Sequence, residues 1–210
     1  MNRFPLCVNL ENKNFLIVGA GKIAMRKFKS ISKFTKNIKI VANRIDDALL
    51  KEKNLKLVCR EFAESDLTDA DYVITATGSR FKDEEIVAKC KALNIPVNAA
   101  DDREECDFFL PGVIKRGSLV VSVSTSGKSP AYSKLLREQI EEIIPDNVEE
   151  IIDTLGNLRK CLPSKIQSQE LRSRVYKAVL TELLATDDVS KLNIEKIIEE
   201  YCDEKINFSN

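Results

Sequence analysis

The first half of the chain alternates short apolar runs with longer segments of helical periodicity. Residues 15–18 are uninterrupted apolar side chains closed by a glycine, which predicts a strand buried on both faces. Similar runs predict further strands at 38–42, 57–59, 72–76 and 96–100. Apolar positions three or four residues apart predict helices over 23–33 and 84–93. This alternation favours the α/β class, with a Rossmann-like, doubly wound parallel sheet.

The pattern changes after Pro111-Gly112. Residues 118–125 are rich in β-branched side chains and predict one more strand. Ser129-Pro130 then predicts the start of a helix that ends before Pro145. Beyond it only helical periodicity remains, with breaks expected near Gly156, Pro163 and residues 186–188. We predict a Rossmann-like domain over 1–112, a strand–helix connecting unit over 113–147 and a small all-helical C-terminal domain over 148–210.

Composition narrows the classes of function. The 210 residues carry 33 basic and 33 acidic side chains, so net charge favours neither nucleic acid nor a membrane as partner. No apolar run approaches the roughly 18 residues of a membrane-spanning helix. The first residues lack the apolar core of a signal peptide, and we expect a cytoplasmic protein.

Histidine is absent from the chain, and the six cysteines are dispersed with no C-x-x-C pair. The absence of histidine excludes catalytic triads that contain it, histidine-ligated zinc and any imidazole base. Acid–base chemistry must therefore come from Asp, Glu, Lys, Tyr, Cys or the substrate itself.

The segment 19–24 matches the pattern G-x-G-x-x-G/A between a predicted strand and a predicted helix. Gly19 permits the tight turn, Gly21 lets the backbone approach a pyrophosphate, and Ala24 lets helix and strand pack closely. A phosphate then lies at the helix N-terminus, where free N–H groups and the helix dipole favour an anion. The turn predicts a dinucleotide site; the alternative is a glycine-rich turn that holds no ligand.

An acidic residue is expected at the end of the second strand, where it holds the adenosine ribose. This chain has Asn43-Arg44 there. Asn43 can hydrogen-bond hydroxyls without repelling a 2′-phosphate as Asp would, and Arg44 could attract one. We predict NAD as the cofactor, and NADP stays open. Thr77, after the fourth strand, is a further candidate cofactor contact, although its loop could equally be a simple turn.

Two adjacent carboxylates, Asp101 and Asp102, follow the predicted strand at 96–100. A carboxylate placed beside a bound cofactor can serve as a general base. The alternative is a helix cap or a solvated loop acid. In a chain without histidine, these two residues are the best candidates for the base.

The segment 127–129, Gly-Lys-Ser, is similar to the end of a phosphate-binding loop. Ser122 stands where that loop requires its first glycine, so we do not expect ATP or GTP hydrolysis. We expect instead that this loop contacts an anionic substrate through backbone N–H groups, hydroxyls and a lysine. The candidate residues are Ser124, Thr125, Gly127 and Lys128.

Together these segments resemble the siroheme-synthase family, whose members are precorrin-2 dehydrogenases and in some cases also sirohydrochlorin ferrochelatases. The resemblance covers most of the chain and is weakest from about residue 148. Its motifs, in order, are Phe4-Pro5-Leu6, residues 16–21 with Ala24 and Arg26-Lys27, Ala76-Thr77, residues 96–98 with Asp101, residues 106–108 with Pro111, residues 122–127 with Ser129-Pro130, and residues 135–138.

The resemblance implies roles for individual residues. Asp101 takes the place of the catalytic aspartate, which would also guide a metal, and Asn98 that of a substrate-pocket residue. Lys22, Ile23, Asn43 and Arg44 fall where the family contacts NAD. Thr125 stands where some members have a serine that can be phosphorylated. Residues 113–147 would form a central dimerisation and substrate-pocket region, and the chain would be a homodimer.

The resemblance also implies an activity. The expected reaction is NAD-dependent oxidation of precorrin-2 to sirohydrochlorin, with Fe²⁺ insertion as an expected second step. The chain lacks the methyltransferase domain of some bacterial members, so it would receive precorrin-2 from another protein. Two alternatives stay open: a dehydrogenase that leaves metal insertion to a separate chelatase, and a non-catalytic NAD-binding redox sensor.

Overall fold

The computed structural model describes residues 4–53 and 55–207. The chain forms two compact units, Met1–Pro111 and Gly112–Asn210. Residues 113–147 and 148–210 thus belong to one unit, while the separate functional roles assigned to them stay predictions.

The first unit contains a five-stranded parallel sheet with the strand order β3-β2-β1-β4-β5. Its elements are β1 (Phe15–Val18), α1 (Lys22–Ile31), β2 (Ile38–Ala42), α2 (Asp47–Leu50), β3 (Lys56–Cys59), a 3-10 helix (Glu64–Leu67), β4 (Tyr72–Thr75), α3 (Arg80–Ala92) and β5 (Val97–Ala99). The Rossmann-like fold is confirmed. Helix α1 ends earlier than predicted, and α3 begins four residues earlier.

Both faces of this sheet are covered by apolar side chains. In β1, Phe15 and Ile17 belong to one core cluster, whereas Leu16 and Val18 belong to another. Because successive side chains of a strand point to opposite faces, a strand buried on both sides has no polar positions. This explains why β1 is apolar throughout.

The strand order reverses between β1 and β4. Val18, the last residue of β1, is level with Val41 of β2 on one side and Thr75 of β4 on the other. All five strands are parallel, so the loops that follow them leave from one edge of the sheet. Ligands of such folds bind at this edge, where the strand order reverses.

The second unit begins with an antiparallel hairpin of β6 (Gly112–Arg116) and β7 (Leu119–Val123). The sequence analysis predicted only the second strand, over 118–125, and missed β6. The connecting unit therefore has one strand more than predicted. Gly117 makes the two-residue turn possible because its φ of +52° is costly for other residues.

Four helices follow: α4 (Pro130–Ile143), α5 (Val148–Lys165), α6 (Gln169–Ala185) and α7 (Ile194–Asn207). The expected break near Gly156 is wrong, since this residue lies inside α5, whereas the break expected near Pro163 occurs at residues 166–168, just after α5 ends. Ile151, Leu158 and Leu162 of this helix are buried against α6 and α7, and this packing outweighs the local cost of the two residues. The break at residues 186–188 is confirmed.

Candidate functional site

The carboxyl edge of the first unit's sheet encloses an open cleft of about 950 Å³. All seven residues predicted to bind the cofactor line it: Gly19, Gly21, Lys22, Ile23, Asn43, Arg44 and Thr77. The candidate base, Asp101, also lines this cleft. The structure thus brings together residues that come from the ends of four different strands.

The glycine turn leaves space and hydrogen-bond donors for a ligand. Gly19 has a φ of +111°, and a Cβ there would overlap the backbone of Ala76 on the neighbouring strand. A Cβ on Gly21 would meet no atom within 4 Å, so this residue borders open space. No side chain caps the N-terminus of α1, and its first turn contains no acidic residue. A dinucleotide pyrophosphate fits this cradle, because uncapped N–H groups favour an anion.

The ends of β2 and β3 are joined by polar contacts within the cleft. Asn43 Nδ2 donates a hydrogen bond to Glu61 Oε1 over 2.9 Å. Lys82 of α3 donates to the same oxygen over 3.1 Å. These two contacts lower the pKa of the Glu61 carboxyl, the bond from Asn43 having the larger effect. A carboxylate from the segment after β3 thus lies beside the end of β2, where the sequence has no acidic residue.

The donors of Thr77 are used inside the protein. Its backbone N–H and its hydroxyl both donate to Asp83 Oδ1, over 3.2 and 2.9 Å. Asp83 is 5% exposed, and burial raises the pKa of its carboxyl. A contact between Thr77 and a cofactor stays a prediction, and these bonds leave less of Thr77 free for it.

Asp101 and Asp102 differ in what their carboxylates contact. Asp102 Oδ1 accepts hydrogen bonds from the backbone of Glu104 and Glu105, at 3.0 and 3.4 Å, so it shapes its own loop. Asp101 is exposed and, within the described part of the chain, its carboxylate has no hydrogen bond or ion pair. It lines both the large cleft and a neighbouring cavity of about 380 Å³. These observations favour Asp101 as the group available to a substrate.

Asn98 is 1% exposed and is fully engaged within the protein. Its amide nitrogen donates to the carbonyl of Phe108 over 2.8 Å and to Cys106 Sγ over 3.4 Å, and its oxygen accepts from Lys27 Nζ over 2.8 Å. The Cys106 thiol in turn donates to the carbonyls of Ala99 and Asp102. This network fixes the loop that carries Asp101. A direct contact of Asn98 with substrate stays a prediction.

The candidate substrate loop of the second unit caps the helix that follows it. Thr125 Oγ1 accepts hydrogen bonds from Ser129 N–H and from the Ser133 hydroxyl, each over 3.0 Å. Ser124 Oγ accepts from the N–H of Ser126. Gly127, with a φ of +76°, lets the chain turn back towards α4. The hydroxyls predicted to meet a substrate therefore have internal partners, and their substrate contacts, like those of Gly127 and Lys128, stay predictions.

Sequence analysis missed several residues that line the cleft. Glu61, Phe62 and Glu64 follow β3, and Lys82 lies on α3. A usable signal existed, because β3 was predicted to be parallel to β2 and its carboxyl end had to lie at the same edge. Across the described ranges, no three Cys, Asp or Glu residues are placed to hold a metal ion. No helix in those ranges is long and apolar enough to cross a membrane.

Two family models match the chain. Residues 6–112 match the model described as "Putative NAD(P)-binding", and residues 116–143 match that of the sirohaem biosynthesis protein central region. The first alone spans more than half of the chain.

Curated relatives carry the name siroheme synthase. That of Psychrobacter cryohalolentis is 32% identical over 182 residues, covering 85% of this chain and 35% of the relative. Siroheme synthase 1 of Klebsiella pneumoniae is 30% identical over 189 residues, covering 89% of this chain and 40% of the relative. That of Neisseria meningitidis is 28% identical, covering 84% and 37%. The chain thus spans well under half the length of these curated relatives.

Among solved structures, SirC, a precorrin-2 dehydrogenase, superposes with a TM-score of 0.75. The match covers 96% of this chain and all of SirC at 19% identity. At this identity the likeness establishes a shared fold.

Proposed function

This chain belongs to the siroheme-synthase family, and from that premise we propose that it oxidises precorrin-2 to sirohydrochlorin with NAD⁺. The observation that carries the proposal is the cleft of about 950 Å³, in which the glycine turn, the end of β2 and Asp101 meet. A dinucleotide site alone would serve many reactions. A carboxylate at the same strand edge, with no partner in the described chain, adds a group that can take a proton.

Each part of the cleft has a proposed task. The uncapped N-terminus of α1 holds the pyrophosphate, and Asn43 with Arg44 meets the adenosine ribose. When bound, the nicotinamide supplies the hydride acceptor. Asp101 accepts the proton that the substrate loses as the hydride leaves, so two hydrogens are removed in total. The Asn98–Cys106–Lys27 network holds the Asp101 loop in place for this step.

The decisive experiment mixes the chain with precorrin-2 and NAD⁺. We expect NADH absorbance to rise together with the spectrum of sirohydrochlorin. Asp101→Ala should abolish this turnover while NADH still binds, since Asp101 is proposed to act on the substrate and not on the pyrophosphate. Asp102→Asn is the matched control, because its amide oxygen still accepts the backbone hydrogen bonds of the loop, and it should retain dehydrogenation. Nucleotide binding without any turnover would instead favour the non-catalytic redox sensor.

Insertion of Fe²⁺ into sirohydrochlorin is a separate activity, expected from the family resemblance alone. Asp101 is the residue proposed to guide the metal and accept the pyrrole protons. Adding Fe²⁺ to sirohydrochlorin with and without the chain tests this. A rate equal to the background would leave a dehydrogenase that depends on a separate chelatase.

Self-association as a homodimer is part of the proposal. Helix α4 has no buried residue, and its apolar side chains Tyr132, Leu135 and Ile143 are each more than half exposed. Such a face favours burial against a second copy of the chain. A monomeric mass in solution would contradict the dimer. The cytoplasm is the proposed location.

A further inference from the structure

Asn43, Glu61 and Lys82 form a polar cluster at the end of the cleft where the adenosine ribose is proposed to bind. This cluster raises the question of whether the chain selects NAD or NADP. NAD carries a 2′-hydroxyl on its adenosine ribose, whereas NADP carries a 2′-phosphate. Most Rossmann-like domains that select NAD do so with an acid at the end of β2. Asn43 occupies that end in this chain, and it is neutral.

Glu61 brings a negative charge to the same place from the end of β3. Its carboxylate is held by Asn43 over 2.9 Å and by Lys82 over 3.1 Å. Both partners favour the ionised form, and the pKa of Glu61 lies below its ordinary value. The carboxylate is therefore charged at neutral pH. Its side chain is 70% exposed, so it borders the solvent-filled cleft and not the core.

The hydrogen bond also fixes the orientation of the Asn43 amide. An ionised carboxylate only accepts hydrogen bonds, so the amide nitrogen must face Glu61. The amide oxygen, an acceptor, is thereby turned to the opposite side. A ribose hydroxyl can donate to that oxygen, whereas a phosphate dianion has no proton to give.

The neighbouring cations are mostly engaged with other acids. Arg60 makes a bidentate pair with the buried Asp66, and Lys89 contacts Glu64 over 3.3 Å. Lys82 is paired with Glu61 itself, so this pair offsets part of the negative charge of Glu61. Arg44, which also lines this end of the cleft, has no ion pair to any residue that the structure describes. Its positive charge attracts a 2′-phosphate and so opposes the repulsion from Glu61.

We infer that Glu61 makes the cleft select NAD over NADP, by placing a fixed negative charge and an oriented acceptor at the strand end that meets the adenosine ribose. This inference rests on the nucleotide binding proposed above. It assigns cofactor selection to a residue that follows β3, which no sequence pattern at β2 would reveal.

The test is a pair of equilibrium titrations with NADH and NADPH, followed by nucleotide fluorescence. We expect the unaltered chain to bind NADH about tenfold or more tightly than NADPH. In Glu61→Gln, NADPH affinity should rise by about fivefold, while NADH affinity changes by less than about twofold. The matched control is Glu64→Gln. Glu64 lines the same cleft and is 69% exposed, yet it pairs with Lys89 and does not contact Asn43. Its substitution should leave the preference unchanged.

A second measurement needs no variant. In the unaltered chain, adenosine 2′,5′-bisphosphate should displace NADH about tenfold less effectively than adenosine 5′-phosphate. Equal binding of NADH and NADPH by the unaltered chain, or a preference of unchanged size in Glu61→Gln, overturns the inference while nucleotide binding stands. If neither nucleotide binds the unaltered chain, the proposed function falls and the inference falls with it.

Discussion

The turn before α1 and the loop before α4 both lead from a strand into a helix, and both were predicted to contact anions. They differ in whether side chains accept hydrogen bonds from the first N–H groups of the helix. Gly21 at the start of α1 offers no side chain, so the first N–H groups are uncapped. At α4, Ser129 Oγ accepts from the N–H of Tyr132, and Thr125 Oγ1 accepts from the N–H of Ser129. The N–H donors at the start of α1 are therefore available to a ligand, whereas donors at the start of α4 are hydrogen-bonded within the protein.

This difference separates two kinds of strand-to-helix turn that share glycines and small polar residues. Donors that the protein does not satisfy are available to an anion, and donors already bound must first be released. An anion contact at the α4 loop would therefore depend on the Lys128 ammonium group, which has no partner among the described residues, more than on the loop's hydroxyls; the Lys128 N–H already donates to Thr125. The glycine turn of the first unit is the stronger anion site on physical grounds.

The largest expected effect comes from Gly19→Ala. Its positive φ and the overlap of the new Cβ with Ala76 should lower the free energy of unfolding by about 3 kcal/mol, measured by denaturant titration. Gly21→Ala is the control, because its Cβ enters open space and its φ of −88° suits any residue. That variant should unfold like the unaltered chain and lose only nucleotide affinity. Equal destabilisation of both would mean that the turn is sensitive for some reason other than crowding.

Adding a cap to α1 and removing the cap of α4 tests this comparison directly. Gly21→Asp would give α1 a capping carboxylate at the position proposed for the pyrophosphate. We expect NADH affinity to fall about 100-fold, while the free energy of unfolding stays level or rises by a few tenths of a kcal/mol. Fluorescence titration and thermal unfolding measure the two effects.

The reciprocal change is Ser129→Ala, which removes the cap of α4. It should lower the free energy of unfolding by about 1 kcal/mol, the usual value of a serine cap. NADH affinity should not change, because Ser129 does not line the cleft. If Gly21→Asp leaves NADH affinity intact, or if Ser129→Ala reduces it, the two helix ends do not differ as described.

Sequence predicted best the strands whose two faces are both buried. β1 and β2 were located to the residue: β1 is a continuous apolar run, and Lys39 is the single polar residue of β2. β6 was missed because only Ile114 of its five residues is buried, and its basic end looks like loop. Its hairpin partner β7 stabilises it, and pairing between two strands is not visible in the hydrophobic pattern of one strand alone.

The residues of the candidate site also fall into those that the sequence placed correctly and those that it did not. The placement of the glycine turn and Asp101 in one cleft was predictable because both directly follow strands of the same parallel sheet. Glu61 was not, because its importance lies in a hydrogen bond to Asn43 that spans 18 residues of sequence. The burial of Asn98 and the internal partners of Thr77 were also hidden, since they depend on how loops fold back onto the sheet.

The last prediction concerns the N–H and hydroxyl of Thr77. Like the hydroxyls of the α4 loop, these groups form hydrogen bonds within the protein. Asp83 Oδ1 accepts both of them, but Asp83 Oδ2 and the nearby Thr75 hydroxyl are buried and, within the described chain, form no hydrogen bond of good geometry; the interaction between them has the smallest of the effects on the pKa of Asp83. Asp83→Asn keeps the acceptor for Thr77 and places an amide N–H near Thr75. The free energy of unfolding at pH 7 should therefore rise by about 1 kcal/mol.

The effect of pH on Asp83→Asn distinguishes this explanation from a general gain in packing. Burial raises the pKa of Asp83 above its ordinary value of 3.8, so above that value the folded state holds a proton that the unfolded chain releases. Stability of the unaltered chain falls as pH rises through this window, and the variant lacks that loss. The stabilisation should therefore grow between about pH 3 and pH 7. Glu84→Gln, an exposed acid on the same helix, should change stability by less than about 0.5 kcal/mol at either pH. A gain that is independent of pH would place its origin outside the Asp83 carboxyl.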